Sequence, residues 1–328
     1  MDVTIAIPTY NGADRLPLIL ERLRSQTAAE SIRWEIIIVD NNSTDGTAAV
    51  VQLYQANWFH PYPLKYCFEP EQGAAFARQR AIREAQGELV GFLDDDNLPT
   101  PDWLVAAYEF AQTHPQAGAY GGQIYGDYEV EPPANFEKIQ AFLAIRQRGP
   151  NPNLYEPERI SLPPAASLVV RRRAWLEHVP QRPALSGKVR GCMVQGDDYE
   201  PLLYLHKAGW EIWYNPAMQT YHQIPHWRLE RPYLTELARG CGLATCELRL
   251  IYTADAQKPW IMARTFLGNS RRAVMHLLKY RQRVKTDLIA ACELEFFLGS
   301  LMSPFYYLRK NLQTKAVSNP LQTPSGSN

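Results

Sequence analysis

The sequence predicts an α/β fold built on an open, mainly parallel sheet flanked by helices, with a helical C-terminal extension. Three observations carry this. Short continuous apolar runs, VTIAIP at 3–8, WEIIIVD at 34–40 and LVGFL at 89–93, alternate with segments of helical spacing. Each run ends abruptly in a polar turn. From Pro232 onward the apolar spacing is helical almost throughout. Strands apolar on both faces suit a buried parallel sheet, and strand–helix alternation supplies its crossovers.

The elements follow in order. After the first strand, Leu16–Leu23 has helical spacing, and after the second a helix is expected over Thr44–Tyr54, with Thr44 or Asp45 near its cap. Ala74–Ala85 reads as a strong helix closed by Gly87, and leads into the 89–93 strand. A helix over Asp102–Gln112 precedes a strand over Ala117–Tyr125. Residues 126–165, rich in Pro, Asn and Gln, predict a long excursion over one sheet face. A strand at Ser167–Val170, a helix near Arg173, a helix at Asp198–Ala208 and a strand at Glu211–Tyr214 complete the sheet. The last stretch, AVSNPLQTPSGSN (316–328), is expected to be disordered.

With 328 residues and 46% hydrophobic content, the chain can bury the core of one large α/β domain with an appendage. This composition excludes a disordered chain, a collagen-like fibre and a disulfide-framework miniprotein. The 34 basic and 34 acidic residues cancel, which argues against a nucleic-acid partner. They are unevenly placed: residues 228–328 hold 15 basic and 7 acidic side chains, so the body is acidic and the C-terminal region basic. Five cysteines without a CxxC spacing predict a reduced, cytoplasmic setting. The opening MDVTIAIPTYNG has neither the basic nor the long apolar stretch of a signal peptide.

Three polar clusters sit just past predicted parallel strands: Pro8-Thr9-Tyr10-Asn11, Asp40-Asn41-Asn42-Ser43 and Asp94-Asp95-Asp96-Asn97. Open α/β sheets bind ligands along that edge. Three successive carboxylates repel one another unless cations or hydrogen-bond donors offset them. Mg²⁺ and Mn²⁺ prefer oxygen ligands and bridge to phosphate. A solvated turn capping the next helix is the plain alternative. A dehydrogenase would need GxGxxG after the first strand, which is absent.

The ordered set IPTYNG, IIIVDNNSTDGT, EQGAAFARQRAIREAQGE and VGFLDDDN resembles glycosyltransferase family 2, over residues 3–103 and again over 194–222. The resemblance implies a GT-A fold and an inverting transferase using a nucleotide-diphosphate sugar, UDP-linked by preference, with Mn²⁺ or Mg²⁺. It implies an acceptor that is a saccharide or a lipid-linked saccharide, in surface or extracellular polysaccharide synthesis. Site roles follow from matched positions only. Pro8, Thr9, Tyr10 and Asp40 would line the nucleoside pocket. Gly73 and Arg78 match a Gly-x-x-x-Ala-Arg segment, with Arg78 facing the donor or an acidic turn. Asp95 would face the ribose or metal shell, and Asp96 would ligate the metal, with Asp94 open to either role. His222 would be a metal or phosphate ligand, and Arg228 would hold the leaving diphosphate. Asp198, in GDDYE, falls where the family places its catalytic base; helix capping by Asp197 or Asp198 is compatible with that. Tyr125, Tyr128, Tyr155 and Trp175 read equally as sugar-stacking or core residues. A sugar nucleotidyltransferase has a related sheet but a Gly-rich basic loop after its first strand, where this chain has IPTYNG; a non-catalytic sugar-nucleotide binder would have little use for both DDD and GDDYE.

The resulting organisation is a catalytic unit over 1–230, with a nucleotide-binding half at 1–103 and an acceptor half at 104–230, a basic helical region over 231–315, and the tail. Between Ala256 and Thr286 there are no acids and eight basic residues, interleaved with large apolar ones. A basic amphipathic helix of this kind predicts either peripheral contact with the cytoplasmic face of the inner membrane or a solvated helix face that packs on the catalytic unit and completes its core. Leu288–Leu308 is more apolar but carries Glu293, Glu295 and Pro304, which argue against a span.

Overall fold

The computed structural model describes residues 1–189 and 193–318. The first half alternates as expected: β1 (Val3–Thr9), α1 (Leu16–Arg24), β2 (Trp34–Asp40), α2 (Thr47–Ala56), β3 (Leu64–Phe68), α3 (Ala74–Glu84) and β4 (Leu89–Leu93). The rest comprises β5 (Asn97–Pro99), α4 (Trp103–Thr113), β6 (Ala117–Tyr128), β7 (Asn153–Leu154), β8 (Ser167–Arg171), α5 (Arg172–His178), α6 (Tyr199–Lys207), β9 (Glu211–Ile224), α7 (Arg231–Leu250), α8 (Lys258–Tyr280) and α9 (Leu288–Ser318).

The sheet order is β3-β2-β1-β4-β8-β6-β9-β5, with β7 on the side of β9. The first four strands are parallel, and β8 joins β4 antiparallel, so the sheet is mixed. Order reverses at β1: the chain steps outward through β2 and β3, then returns to place β4 on the other side. The carboxyl ends of β1 and β4 therefore flank a topological switch point, the position at which open α/β sheets bind their ligands.

All seven residues of β2 are buried, as expected for a strand covered on both faces. Ile5 and Ile7 of β1 join Leu16, Ile19, Leu20 and Leu23 of α1 on one face, a spacing that puts one stripe of the helix against the sheet. Ala6, Val39 and Phe92 join α3 and α6 on the other face. A third cluster joins β6, β9 and the 136–145 turns to α7 and α9.

Four expectations are corrected. The second helix begins at Thr47, because Asp45 accepts the Thr47 backbone N–H and hydroxyl and holds 44–46 as a turn. The strand at 211 runs on to Ile224, its register with β6 shifting after Gly122 so that Pro216 is accommodated. Strands β3, β5 and the short β7 were not expected at all. α9 reaches Ser318, so residues 316–318 are helical; the remainder of the expected disordered tail, 319–328, lies outside the described residues.

Candidate active site

At the switch point the Thr9 hydroxyl donates to Asp95 Oδ2 at 2.5 Å. Arg15, at the start of α1, grips both oxygens of the same carboxylate, Nε to Oδ1 at 2.8 Å and Nη2 to Oδ2 at 2.9 Å. Such a forked pair fixes orientation as well as charge. Tyr10 is exposed beside it.

Asp96 turns to different partners. β5 pairs antiparallel with β9 so that Asn97 stands opposite His222. Arg228 Nη1 donates to Asp96 Oδ2 at 2.8 Å, and His222 Nε2 lies 3.5 Å from the same oxygen. His222 Nδ1 is 2.8 Å from the Leu143 carbonyl. A carbonyl only accepts, so Nδ1 carries the proton; in the neutral ring Nε2 then presents its lone pair, 3.0 Å from Arg228 Nη1. Burial opposes ionisation of Asp96, but His222, when its ring is charged, and Arg228 overcome it and hold the carboxyl well below the usual range. Asp94 is also pushed up by burial, with Arg78 as its chief compensating charge. Each carboxylate of DDD has a cation near it, Arg78 for Asp94, Arg15 for Asp95 and Arg228 for Asp96, but Arg78 is shared with Asp197, and burial with mutual repulsion still pushes Asp94 and Asp95 up.

Arg78 connects the second acidic turn. Its Nη1 donates to Asp197 Oδ2 at 2.6 Å, both side chains being buried, and the charges of Asp94 and Asp198 act on it from either side. Asp198 occupies the N-cap position of α6 without capping it through its side chain. Burial pushes its carboxyl up to about 7, the Asp197 charge adding to this and Arg78 and Arg146 opposing. Arg146 comes from the long excursion, is held by Tyr199 Oη at 2.6 Å, and the same excursion supplies the Leu143 carbonyl that orients His222. Glu200 accepts the backbone N–H groups of Ala184 and Leu185 at 2.9 and 2.7 Å, fixing a loop that reaches Asp197.

Asp40 ends β2, accepting the Ser43 N–H and the Tyr66 hydroxyl, both at 2.8 Å. Its neighbour Asn41 accepts the Gly73 N–H at 2.7 Å. Gly73 has φ +137°, and a Cβ there would lie 2.6 Å from the Ser186 carbonyl, so this helix start needs glycine.

The structure therefore brings Thr9, Asp95, Asp96, His222 and Arg228 together at one end of the sheet, and links Asp94 through Arg78 to Asp197 and Asp198. Asp40 and Gly73 sit on the adjoining 40–43 and 69–73 turns. Asn41 lies in the polar cluster expected after the second strand, whereas Arg15 and Arg146 were not anticipated from sequence, since no local motif marks them. Tyr155 and Trp175 are buried in the core and serve as packing, not as sugar platforms.

Among the described residues no three His, Cys, Asp or Glu side chains converge as a ready-made metal cage. The pair Asp96 and His222 nevertheless fits a divalent cation: one carboxylate oxygen and one imidazole nitrogen face the same point, which the positive guanidinium of Arg228 now shares. Mg²⁺ and Mn²⁺ commonly take few protein ligands and complete their shells with phosphate and water, and imidazole favours Mn²⁺ of the two.

The family model described as Glycosyl transferase family 2 matches residues 4–174. The chain belongs to glycosyl transferase family 2. Two curated relatives are similar to this chain over different lengths. Glycosyltransferase AglE of Haloferax volcanii is 34% identical over 103 residues, 31% of this chain and 33% of that one, so the chain spans about a third of AglE's length. Succinoglycan biosynthesis protein ExoM of Rhizobium meliloti is 25% identical over 241 residues, 72% of this chain and 71% of ExoM. Among solved structures, the mannosyltransferase PcManGT from Pyrobaculum calidifontis, in complex with GDP-Man and Mn²⁺, superposes with a TM-score of 0.57 at 19% identity, covering 93% of this chain and 87% of that one. The fold is thus the GT-A-like fold of family 2: a mixed, mainly parallel sheet between helices, with helices appended at its C-terminal end.

Proposed function

We propose that this chain is an inverting glycosyltransferase that moves a sugar from a nucleoside diphosphate, UDP by preference, to a saccharide or lipid-linked saccharide. One observation carries the reading: buried Arg78 is ion-paired to Asp197 of the GDDYE turn and lies within the field of Asp94 of the DDD turn, so that both carboxylate clusters act on one cation. The complex of PcManGT with GDP-Man and Mn²⁺, and the naming of ExoM for succinoglycan biosynthesis, support a nucleotide-sugar donor and a polysaccharide product.

In this reading Pro8, Thr9, Tyr10, Asp40 and Gly73 shape the nucleoside side, and Asp95 is held by Thr9 and Arg15 to face the ribose. Asp96 and His222 hold a divalent cation, with Asp94 beside them. When bound, that ion supplies positive charge that offsets the developing charge on the diphosphate. Arg228 turns from Asp96 to the leaving diphosphate; its Nε is buried with no acceptor among the described residues, leaving a donor to spend there. Asp198 takes the proton from the acceptor hydroxyl as that oxygen attacks the anomeric carbon. The bond to the diphosphate breaks on the opposite face, and the nucleoside diphosphate departs with the electron pair. One displacement inverts the configuration and needs no second carboxylate as nucleophile.

The same reading divides the chain into a nucleotide-binding half at 1–103, an acceptor half at 104–230 and a helical region at 231–315, apposed to the cytoplasmic face of a membrane where a lipid-linked acceptor would lie. The test is a panel of nucleotide sugars with Mn²⁺, followed for nucleoside diphosphate release. Release from one donor supports the proposal. Pyrophosphate formed from a nucleoside triphosphate and a sugar phosphate would replace it with a nucleotidyltransferase, and binding without any turnover would leave a non-catalytic receptor.

A further inference from the structure

Helix α8 is inverted for a helix that meets water. Its inward face carries Thr265, Asn269, Ala273 and His276, at spacings of four, four and three. These are polar or small, and they are satisfied inside: Thr265 accepts from Arg249 Nη1 at 3.1 Å, and His276 Nε2 meets the Ala290 carbonyl at 2.8 Å. The outward face carries Trp260, Leu267, Val274 and Leu278, each 55–67% exposed. Spacings of seven, seven and four hold these four on one stripe. Met302, Phe305, Leu308 and Leu312 form a second exposed stripe on α9. The ring of Phe266 meets Phe305 edge-on at 5.6 Å and joins the two. An exposed apolar surface of this extent marks an interaction site.

Charge decides the partner. No acid lies between Ala256 and Thr286, and the exposed Arg264, Arg271, Arg272, Lys279, Arg281 and Arg283 border the stripe. The field is uncompensated: the Arg249 guanidinium beneath is pulled below its ordinary value by burial and then by Arg272 and Arg264.

We propose that α8 and the exposed side of α9 lie in the plane of a membrane rich in anionic phospholipid, the apolar stripes entering the acyl boundary and the flanking Arg and Lys meeting headgroup phosphates. The helices lie on the bilayer and do not cross it. By length and composition Leu288–Leu312 is apolar enough to span. However, α9 is locked onto α7 at small residues: a Cβ on Gly242 would lie 2.4 Å from the Phe296 carbonyl, one on Gly299 2.3 Å from the Arg239 carbonyl, and the Thr245 and Ser300 hydroxyls are 3.1 Å apart. This surface deepens the reading of a membrane-apposed transferase and rests on it only for the acceptor's identity.

The test is flotation of the full chain with phosphatidylcholine vesicles, with and without phosphatidylglycerol. The chain should float with the anionic vesicles at low salt, and bind neutral ones at least about tenfold more weakly. Leu267→Glu with Leu278→Glu, and separately Arg271→Glu with Arg272→Glu, should each reduce anionic binding by about tenfold or more while donor hydrolysis in solution and the thermal midpoint stay unchanged. Wild-type protein left unfloated, equal binding to both lipids, or variants that float like wild type would overturn the proposal. So would a dimer abolished by Leu267→Glu, which would assign the stripe to a second copy, or a chain released only by detergent, which would make α9 a span. Loss of donor turnover with vesicle binding intact would sink the transferase reading and leave this surface standing.

Discussion

If Asp198 is the base of the proposed transfer, it has to accept a proton near neutral pH, and its neighbours decide when it can. Asp197, Arg78, Arg146, Tyr199 and Cys241 all face it. With its carboxyl pushed up to about 7, such a base would be protonated and inactive below that pH. kcat/KM should therefore rise through pH about 7 and plateau above it. Asp197→Asn removes the repelling charge and releases Arg78, so the rise should move to lower pH even where turnover is weakened. An unmoved profile would mean that another group titrates. Asp198→Ala should lower transfer by at least about a hundredfold, the usual scale for losing a general base; near-normal turnover in the purified variant would remove Asp198 from that role. The Arg78–Asp197 pair is a separate matter of stability. Truncating one partner of a buried pair typically costs about 3–5 kcal/mol, because the other charge is left buried alone. Arg78→Ala should accordingly lower the denaturant midpoint, and an unchanged midpoint would show the pair to be solvated.

At the scale of elements, legibility followed burial. β1, β2 and β4 are covered on both faces and so appear as unbroken apolar runs. β3 did not: it is an edge strand, and Lys65 interrupts its run to reach buried Glu35 at 2.6 Å. β5 has three residues and ends in proline, and β9 passes through Asn215-Pro216, a pair that reads as a turn. The acidic turns were legible because polar residues that follow a buried strand land on the ligand edge. Arg15 and Arg146 were not, since their carboxylate and phenol partners lie 80 and 53 positions away. The loop over Asp197 offers a test of how closely that turn is held. Gly187 has φ +81°, and a Cβ there would lie 2.7 Å from the Asp197 carboxyl; Gly149 has φ +92° with open space around it. Alanine at either position should cost about 1–2 kcal/mol of backbone strain. Only Gly187→Ala should also lower turnover, because it alone pushes on Asp197. Equal turnover in the two variants would separate the loop from catalysis.

Across the whole molecule, the two halves of the sheet are tied through the site itself. Asp96 and Arg228 are 132 positions apart, and Arg78 and Asp197 are 119 apart. A ligand that engages both halves must then stabilise the entire fold. Binding to the native state alone contributes about 2.7 kcal/mol at a hundredfold excess over Kd, which for a chain of this size raises Tm by several degrees. If the nucleoside meets Thr9 and Asp40 while a cation meets Asp96 and His222 on its diphosphate, UDP and Mn²⁺ together should raise Tm by more than the sum of their separate effects. Excess chelator should return the shift to that of UDP alone. Asp96→Ala should lose the Mn²⁺-dependent part and keep the UDP part, since Thr9, Asp40 and Tyr66 are untouched. Additive shifts, or a variant that responds to Mn²⁺ as wild type does, would place the cation elsewhere and leave the Asp96, His222 and Arg228 cluster as an ion pair network that only holds β5 to β9.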